Sequence, residues 1–251
     1  MVSGTGAGRL ANGAGLGAAW GRRAVACPRH AVAVWRNAKE RSVDTMLKIH
    51  NFARGARGLR VIWLCEEMGL AYSLENHAFP TPPEYRALNP LGTVPFLEDT
   101  AGAGLNESIA ILLYLAQTYG PTPLLPTSQS ALLARCLQLA LFGETELGMN
   151  LNPLIAARFL AGPDDKRNWS VIGLEQRVER AVAYTEGLIA QKTYLVGEAL
   201  TLADISVSCG LTIWQTALDG ALPPGLKAYQ QHLAQRPAYC RAVARCAEPR
   251  P

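Results

Sequence analysis

The sequence predicts two unlike halves, a small α/β unit over residues 46–120 and an all-helical unit over 127–251. Three observations predict this. Between residues 47 and 119, short alternating apolar stretches are interleaved with apolar stripes of helical period. Gly120-Pro121-Thr122-Pro123-Leu124-Leu125-Pro126 then places three prolines in seven residues, and a helix does not propagate through such a run. Beyond this linker, over 121–126, the apolar residues recur with helical spacing to the end of the chain.

The elements follow in order. Residues 47–50 alternate and predict a first strand, which Asn51-Phe52-Ala53-Arg54-Gly55-Ala56-Arg57-Gly58 ends with its glycines. Residues 59–68 predict a helix whose buried stripe is Val61, Leu64, Cys65 and Met68, at i, i+3, i+4 and i+7. Gly69 stops it. A second strand over 71–79 leads into a polar connection with one helical turn. Two short antiparallel strands follow, over 95–98 and 105–106, and a helix over 108–119 completes the half. After the linker, helices are predicted over 131–147, 152–160 and 169–190. Thr201 begins another as its N-cap, with Asp204 in the first turn, which suits the helix dipole. This spacing makes Asp204 a structural acid. A last helix pair over 222–246 is divided at Arg236-Pro237.

Composition excludes several classes. No run of 18 apolar residues exists to form a membrane-spanning helix. The formal net charge of +4 comes from the first 45 residues, which hold 7 Lys+Arg against 2 Asp+Glu; the rest carries 17 against 18. The folded part therefore presents no basic excess for nucleic acid. The six cysteines contain no C-x-x-C pair, and His50, His77 and His232 are scattered without zinc spacing, so no metal site is expected. A reducing, cytoplasmic setting fits the cysteines, packed as small apolar groups. Residues 1–45, rich in Gly, Ala and Arg, predict no stable element. They read as a disordered extension, as an Arg-rich transit segment, or as residues upstream of a true start at Met46.

The chemistry centres on Asn89-Pro90-Leu91-Gly92-Thr93-Val94-Pro95. A proline after Val94 drives Val94 to extended angles. Its backbone N–H and C=O are then free to pair with an extended ligand, as an added strand. Glu107-Ser108 precedes the apolar run 109–115, and a helix start binds anions through its outward N–H groups and dipole. A peptide-like ligand could thus lie along Val94 and set a carboxylate at Ser108.

These motifs, with the Thr201–Asp204 box, resemble the cytosolic glutathione S-transferase family in its bacterial-type form, over roughly Met46 to the last residue. The resemblance implies a thioredoxin-like N-terminal domain followed by an all-α C-terminal domain. It implies a cis Val94–Pro95 bond, with Val94 pairing to the cysteinyl backbone of glutathione and Glu107 and Ser108 holding the γ-glutamyl end. Met46-Leu47-Lys48-Ile49-His50 is also how such a transferase begins.

The resemblance implies a Tyr, Ser or Cys just after the first strand to stabilise the glutathione thiolate, and here residues 51–53 have none. A free thiol ionises near pH 8.5, so lowering its pKa by about two units takes roughly 2.7 kcal/mol of preferential interaction with the anion. Two groups are candidates: Asn51 through its amide N–H, and Arg54, with Arg57 nearby, through charge. Asn51 equally suits a turn residue, and the arginines equally suit solvated charges. The resemblance places the electrophile pocket between the domains, with Phe142, Met149, Asn150 and Phe159 as wall residues, or else as packing core. It also implies glutathione as co-substrate with no metal, a small hydrophobic electrophile, a homodimer and a detoxification role. The alternative is a glutathione-binding or regulatory protein without catalysis.

Overall fold

The structure, a computed structural model, describes residues 47–53, 56–126 and 130–247. The expected extension 1–45, Met46 and Arg54 lie outside the described residues. Three strands are β1 (Leu47–Phe52), β2 (Ser73–His77) and β3 (Phe96–Asp99), and a two-residue β4 (Gly104–Leu105) joins them in the order β2-β1-β3-β4. β1 runs parallel to β2 and antiparallel to β3, and β3 and β4 form a hairpin. The parallel crossover is α1 (Ala56–Met68), a single turn α2 (Tyr85–Leu88) precedes β3, and α3 (Ser108–Thr118) follows β4. This is the expected mixed sheet with helices, thioredoxin-like in order.

Alternation along β1 sends its residues to two faces. Leu47, Ile49 and Asn51 face the helices, whereas Lys48 and His50 meet Glu75, Glu98 and His77 on the other face. α1 departs from the single-stripe expectation. Arg60, Ile62 and Trp63 are as buried as Val61, Leu64 and Cys65. The cause is tertiary: α1 packs on β1 and α3 and also against two helices of the second half.

The helical half contains α4 (Ser130–Phe142), α5 (Met149–Leu160), α6 (Trp169–Ile189), α7 (Leu202–Leu218), α8 (Pro224–Ala234) and α9 (Pro237–Ala247). Between α4 and α5 the chain does not break, as expected from its sequence, but widens into a π-helical stretch, Gly143–Gly148. Asn150 Nδ2 donates to the Glu146 carbonyl at 2.7 Å and the Thr145 carbonyl at 3.4 Å, taking up oxygens of that stretch. The linker is tied down by the Leu202 amide, which donates to Leu124 O at 2.9 Å, with Leu124 and Leu125 buried. Asp204 is structural, as its spacing predicts. It accepts from the Thr201 and Leu195 amides, each at 2.8 Å, from Thr201 Oγ1 at 3.0 Å and from Tyr229 Oη at 2.9 Å. Burial nonetheless pushes its carboxyl pKa above the ordinary value. Among the described residues no helix is long and apolar enough to cross a membrane.

Candidate functional site

The loop before β3 is built from the inside. Asn89 is fully buried, and its Nδ2 donates to Thr93 O at 2.8 Å; Tyr85 Oη donates to the same oxygen at 2.9 Å. Thr81 Oγ1 holds Gly92 O at 3.0 Å, and Gly92 itself has φ +62°, a left-handed conformation that glycine adopts without penalty. With Thr93 fixed, the Val94–Pro95 peptide is cis and Pro95 is buried. Among the described residues neither the N–H nor the C=O of Val94 has a hydrogen-bond partner.

The β3–β4 hairpin leads the chain from the Val94–Pro95 turn toward the start of α3. Its register pairs Glu98 with Gly104 and Leu97 with Leu105. The ladder ends at Leu105, and the chain passes through Asn106 and Glu107 into α3, whose first residue is Ser108. Glu107 is exposed and has φ +66° and ψ +106°, outside the ordinary left-handed well. A non-glycine residue held there costs on the order of 1–3 kcal/mol. Such cost is concentrated where a backbone group must be aimed.

Beneath Ser108 lies a buried charge. Arg60 is inaccessible to solvent, and its Nη1 donates to Ser108 Oγ at 3.0 Å and to a Glu144 carboxylate oxygen. Its Nη2 donates to Gly143 O at 2.8 Å and Ser206 O at 3.2 Å, and its Nε also reaches Ser206 O, at 3.3 Å. Arg57 adds a bidentate pair to Glu144, at 3.1 and 2.5 Å. Burial alone raises the Glu144 carboxyl, but the hydrogen bonds and charges of the two arginines outweigh it and hold the group below its ordinary value. One carboxylate on the π-helical stretch thus ties the helical half to α1 and, through Arg60, to Ser108.

Two domain families match this chain: "Glutathione S-transferase, N-terminal domain" over residues 57–118 and "Glutathione S-transferase, C-terminal domain" over residues 154–237. Glutathione S-transferase 4 of Zea mays is 30% identical over 208 residues, 76% of this chain and 89% of that one. The chain belongs to the glutathione S-transferase family. Elongation factor 1-gamma of Schizosaccharomyces pombe is 33% identical over 143 residues, 57% of this chain and 34% of that protein. The chain spans about a third of the length of the elongation factors it matches, 34% and 31% of the first two. Among solved structures, the theta class glutathione S-transferase from Xanthomonas axonopodis pv. citri with glutathione bound superposes with a TM-score of 0.68 at 26% identity. That match covers 79% of this chain and 97% of the other.

Within this glutathione S-transferase fold, the expected sulfur ligand is misplaced. Asn51 is inside β1, not after it, and has no solvent exposure. Its Nδ2 donates to Asn76 Oδ1 at 3.2 Å and to Cys246 Sγ at 3.7 Å, and its Oδ1 lies where a Cβ on Gly58 would sit, 1.8 Å away. The extra strand residues turn the amide into the core, so it does not reach a ligand sulfur. Arg54, the other candidate, is outside the described residues, and Arg57 is engaged by Glu144.

The residues expected to wall an electrophile pocket differ in exposure. Phe142 is half-buried at the end of α4 and packs on Tyr184, ring centroids 5.3 Å apart, in a cavity of ≈ 560 Å³ between α4 and α6. Met149 and Phe159 are 60% and 36% exposed and do not line it. They stand ten residues apart on α5, about 15 Å along the axis. Asn150 is spent on backbone carbonyls.

Sequence reasoning missed Arg60 and Glu144. The available signal was a lone arginine inside an apolar helical window, Arg60 between Leu59 and Val61, three residues after Arg57. Such a charge needs a partner, and its partner is 84 residues away. A second cluster went unseen as well: His50, Glu75 and His77 meet on the outer face of β1 and β2, although the histidines are scattered in sequence.

Proposed function

We propose that this protein binds glutathione at the open end of the β3–β4 hairpin, within a glutathione-binding unit over 46–120 joined by the 121–126 linker to a helical unit over 127–251. The carrying observation is the unpartnered Val94 backbone beside cis Pro95. Val94 pairs with the cysteinyl backbone, Pro95 shapes the turn, and Ser108 and Glu107 hold the γ-glutamyl end. Ser108 is suited to this role: its oxygen already accepts from Arg60, so its own proton is free to donate to a carboxylate.

On this reading the protein is a glutathione S-transferase-like enzyme, cytoplasmic and homodimeric, that conjugates or reduces small hydrophobic electrophiles. Charge from Arg54 and the N–H groups at the start of α1 serve the sulfur in place of Asn51. A second reading, a glutathione-binding or regulatory protein without catalysis, is favoured by one observation: residues 51–53 offer no hydroxyl or thiol, and the one amide there is buried. The similarity to elongation factor 1-gamma supports the same reading.

Glutathione titration by calorimetry, followed by thiolate absorbance across pH, separates the two. Saturable binding with a thiol pKa well below its free value supports the enzyme. Binding with an unshifted pKa supports the regulator. No binding at millimolar glutathione overturns both.

A further inference from the structure

On the sheet face away from α1, β1 and β2 bring together His50, Glu75 and His77. We infer that these three side chains form a binding site for one divalent transition-metal ion of the zinc type. His50 Nδ1 and His77 Nε2 are 2.9 Å apart, and Glu75 oxygens lie 3.8 Å from each of these nitrogens. In a tetrahedral shell with metal–ligand bonds of about 2.0–2.1 Å, ligand atoms sit about 3.3 Å apart. The observed separations straddle that value by about half an ångström, a change that small ring rotations supply, since the second torsion of histidine is broad. Two imidazoles and a carboxylate suit zinc, cobalt or nickel, and a solvent molecule completes the shell on the side of Glu75, which is 43% exposed.

The surroundings are built for this role. Glu98 Oε1 is 2.7 Å from His50 Nε2, the nitrogen that points away from the site. A carboxylate there orients the ring and holds the proton on Nε2, so that Nδ1 is the acceptor of the hydrogen bond from His77 Nε2 and both nitrogens become ligands when the ion displaces that shared proton. Tyr85 packs on both rings, with centroids 4.3 Å from His77 and 5.3 Å from His50, and both histidines are buried. Among the described residues, two carboxylates face one cation, Lys48, whose Nζ is 2.7 Å from Glu75 and 3.7 Å from Glu98. The cluster therefore holds excess negative charge when the imidazoles are neutral, and Lys48 is the group an incoming ion displaces.

The test is calorimetric titration of the full chain with Zn²⁺, repeated with Co²⁺ while recording visible absorption. One ion per chain is expected, with the Co²⁺ bands of nitrogen and oxygen ligation and no thiolate charge-transfer band. Glu75→Gln, a half-exposed site that leaves the fold intact, weakens Zn²⁺ at least tenfold, and so does His77→Ala. Glu98→Gln weakens it by about 10–100-fold through ring orientation. Lys48→Met tightens it severalfold, an effect that a purely structural hydrogen-bond cluster does not produce. Glu179→Gln, exposed on α6, leaves affinity unchanged. No Zn²⁺ binding at millimolar concentration overturns the site. So does a thiolate band with Co²⁺, or affinity that is indifferent to both Glu75→Gln and His77→Ala.

Discussion

Replacing Glu144 by glutamine tests how the two halves are joined. The substitution keeps the side chain's shape and removes its charge. Arg57 is 26% exposed and can rehydrate, so its lost pairing costs little. Arg60 has no exposure and keeps only neutral acceptors: Ser108 Oγ, Gly143 O and Ser206 O. Breaking a buried pair so that one charge is left uncompensated costs about 3–5 kcal/mol. The three remaining acceptors place Glu144→Gln near the low end, about 3 kcal/mol. For a chain of this size that lowers Tm by roughly 6–12 °C. Thermal unfolding at neutral pH, at one protein concentration, measures it. The pH dependence gives a second readout. A carboxyl held below its ordinary value contributes stability above that value and loses it as pH falls through the folded-state pKa. The Tm gap between wild type and Glu144→Gln is therefore full at pH 7 and narrows as pH drops below about 4.3. A shift under about 2 °C, or a gap that widens in acid, would refute the reasoning.

Other outcomes follow from the same geometry. Ser108→Ala removes a hydroxyl donor to a carboxylate, a charged hydrogen bond worth about 1.5–3 kcal/mol, so glutathione Kd rises by about 10–150-fold in calorimetry. Arg60 keeps its other acceptors, so Tm changes little. Asn51→Ala leaves that Kd within about twofold while lowering stability by about 1–3 kcal/mol in urea unfolding, since it acts in the core. An equal loss of glutathione affinity in the two variants would return Asn51 to the site. Gly58→Ala drives a methyl into the Asn51 amide at 1.8 Å and lowers Tm, because Asn51 has no exposed side to move toward. Gly143→Ala meets the α7 backbone at 2.8 Å and is also destabilising in a thermal melt.

Some features were legible because they depend on neighbours in the chain. The Val94-Pro95 turn, the Thr201–Asp204 cap, the linker prolines and the order of strands and helices all follow from local sterics, helix ends and apolar period. The β3–β4 hairpin formed as expected because a short connection between two strands leaves few registers. The expected break at 148–151 is instead helical, because α5 already begins at Met149, and the end of the predicted 131–147 helix widens into a π-helical stretch whose carbonyls find partners in the Asn150 amide.

What the sequence by itself determined is therefore the fold class and the Val94–Pro95 turn before β3, where each residue's neighbours lie nearby in the chain. Only the tertiary structure decided the inward turn of Asn51, the Arg60–Glu144 link and the His50–Glu75–His77 cluster. Each depends on side chains from distant segments meeting in low-dielectric surroundings, where a charge or amide is stable only with a partner that no local pattern names.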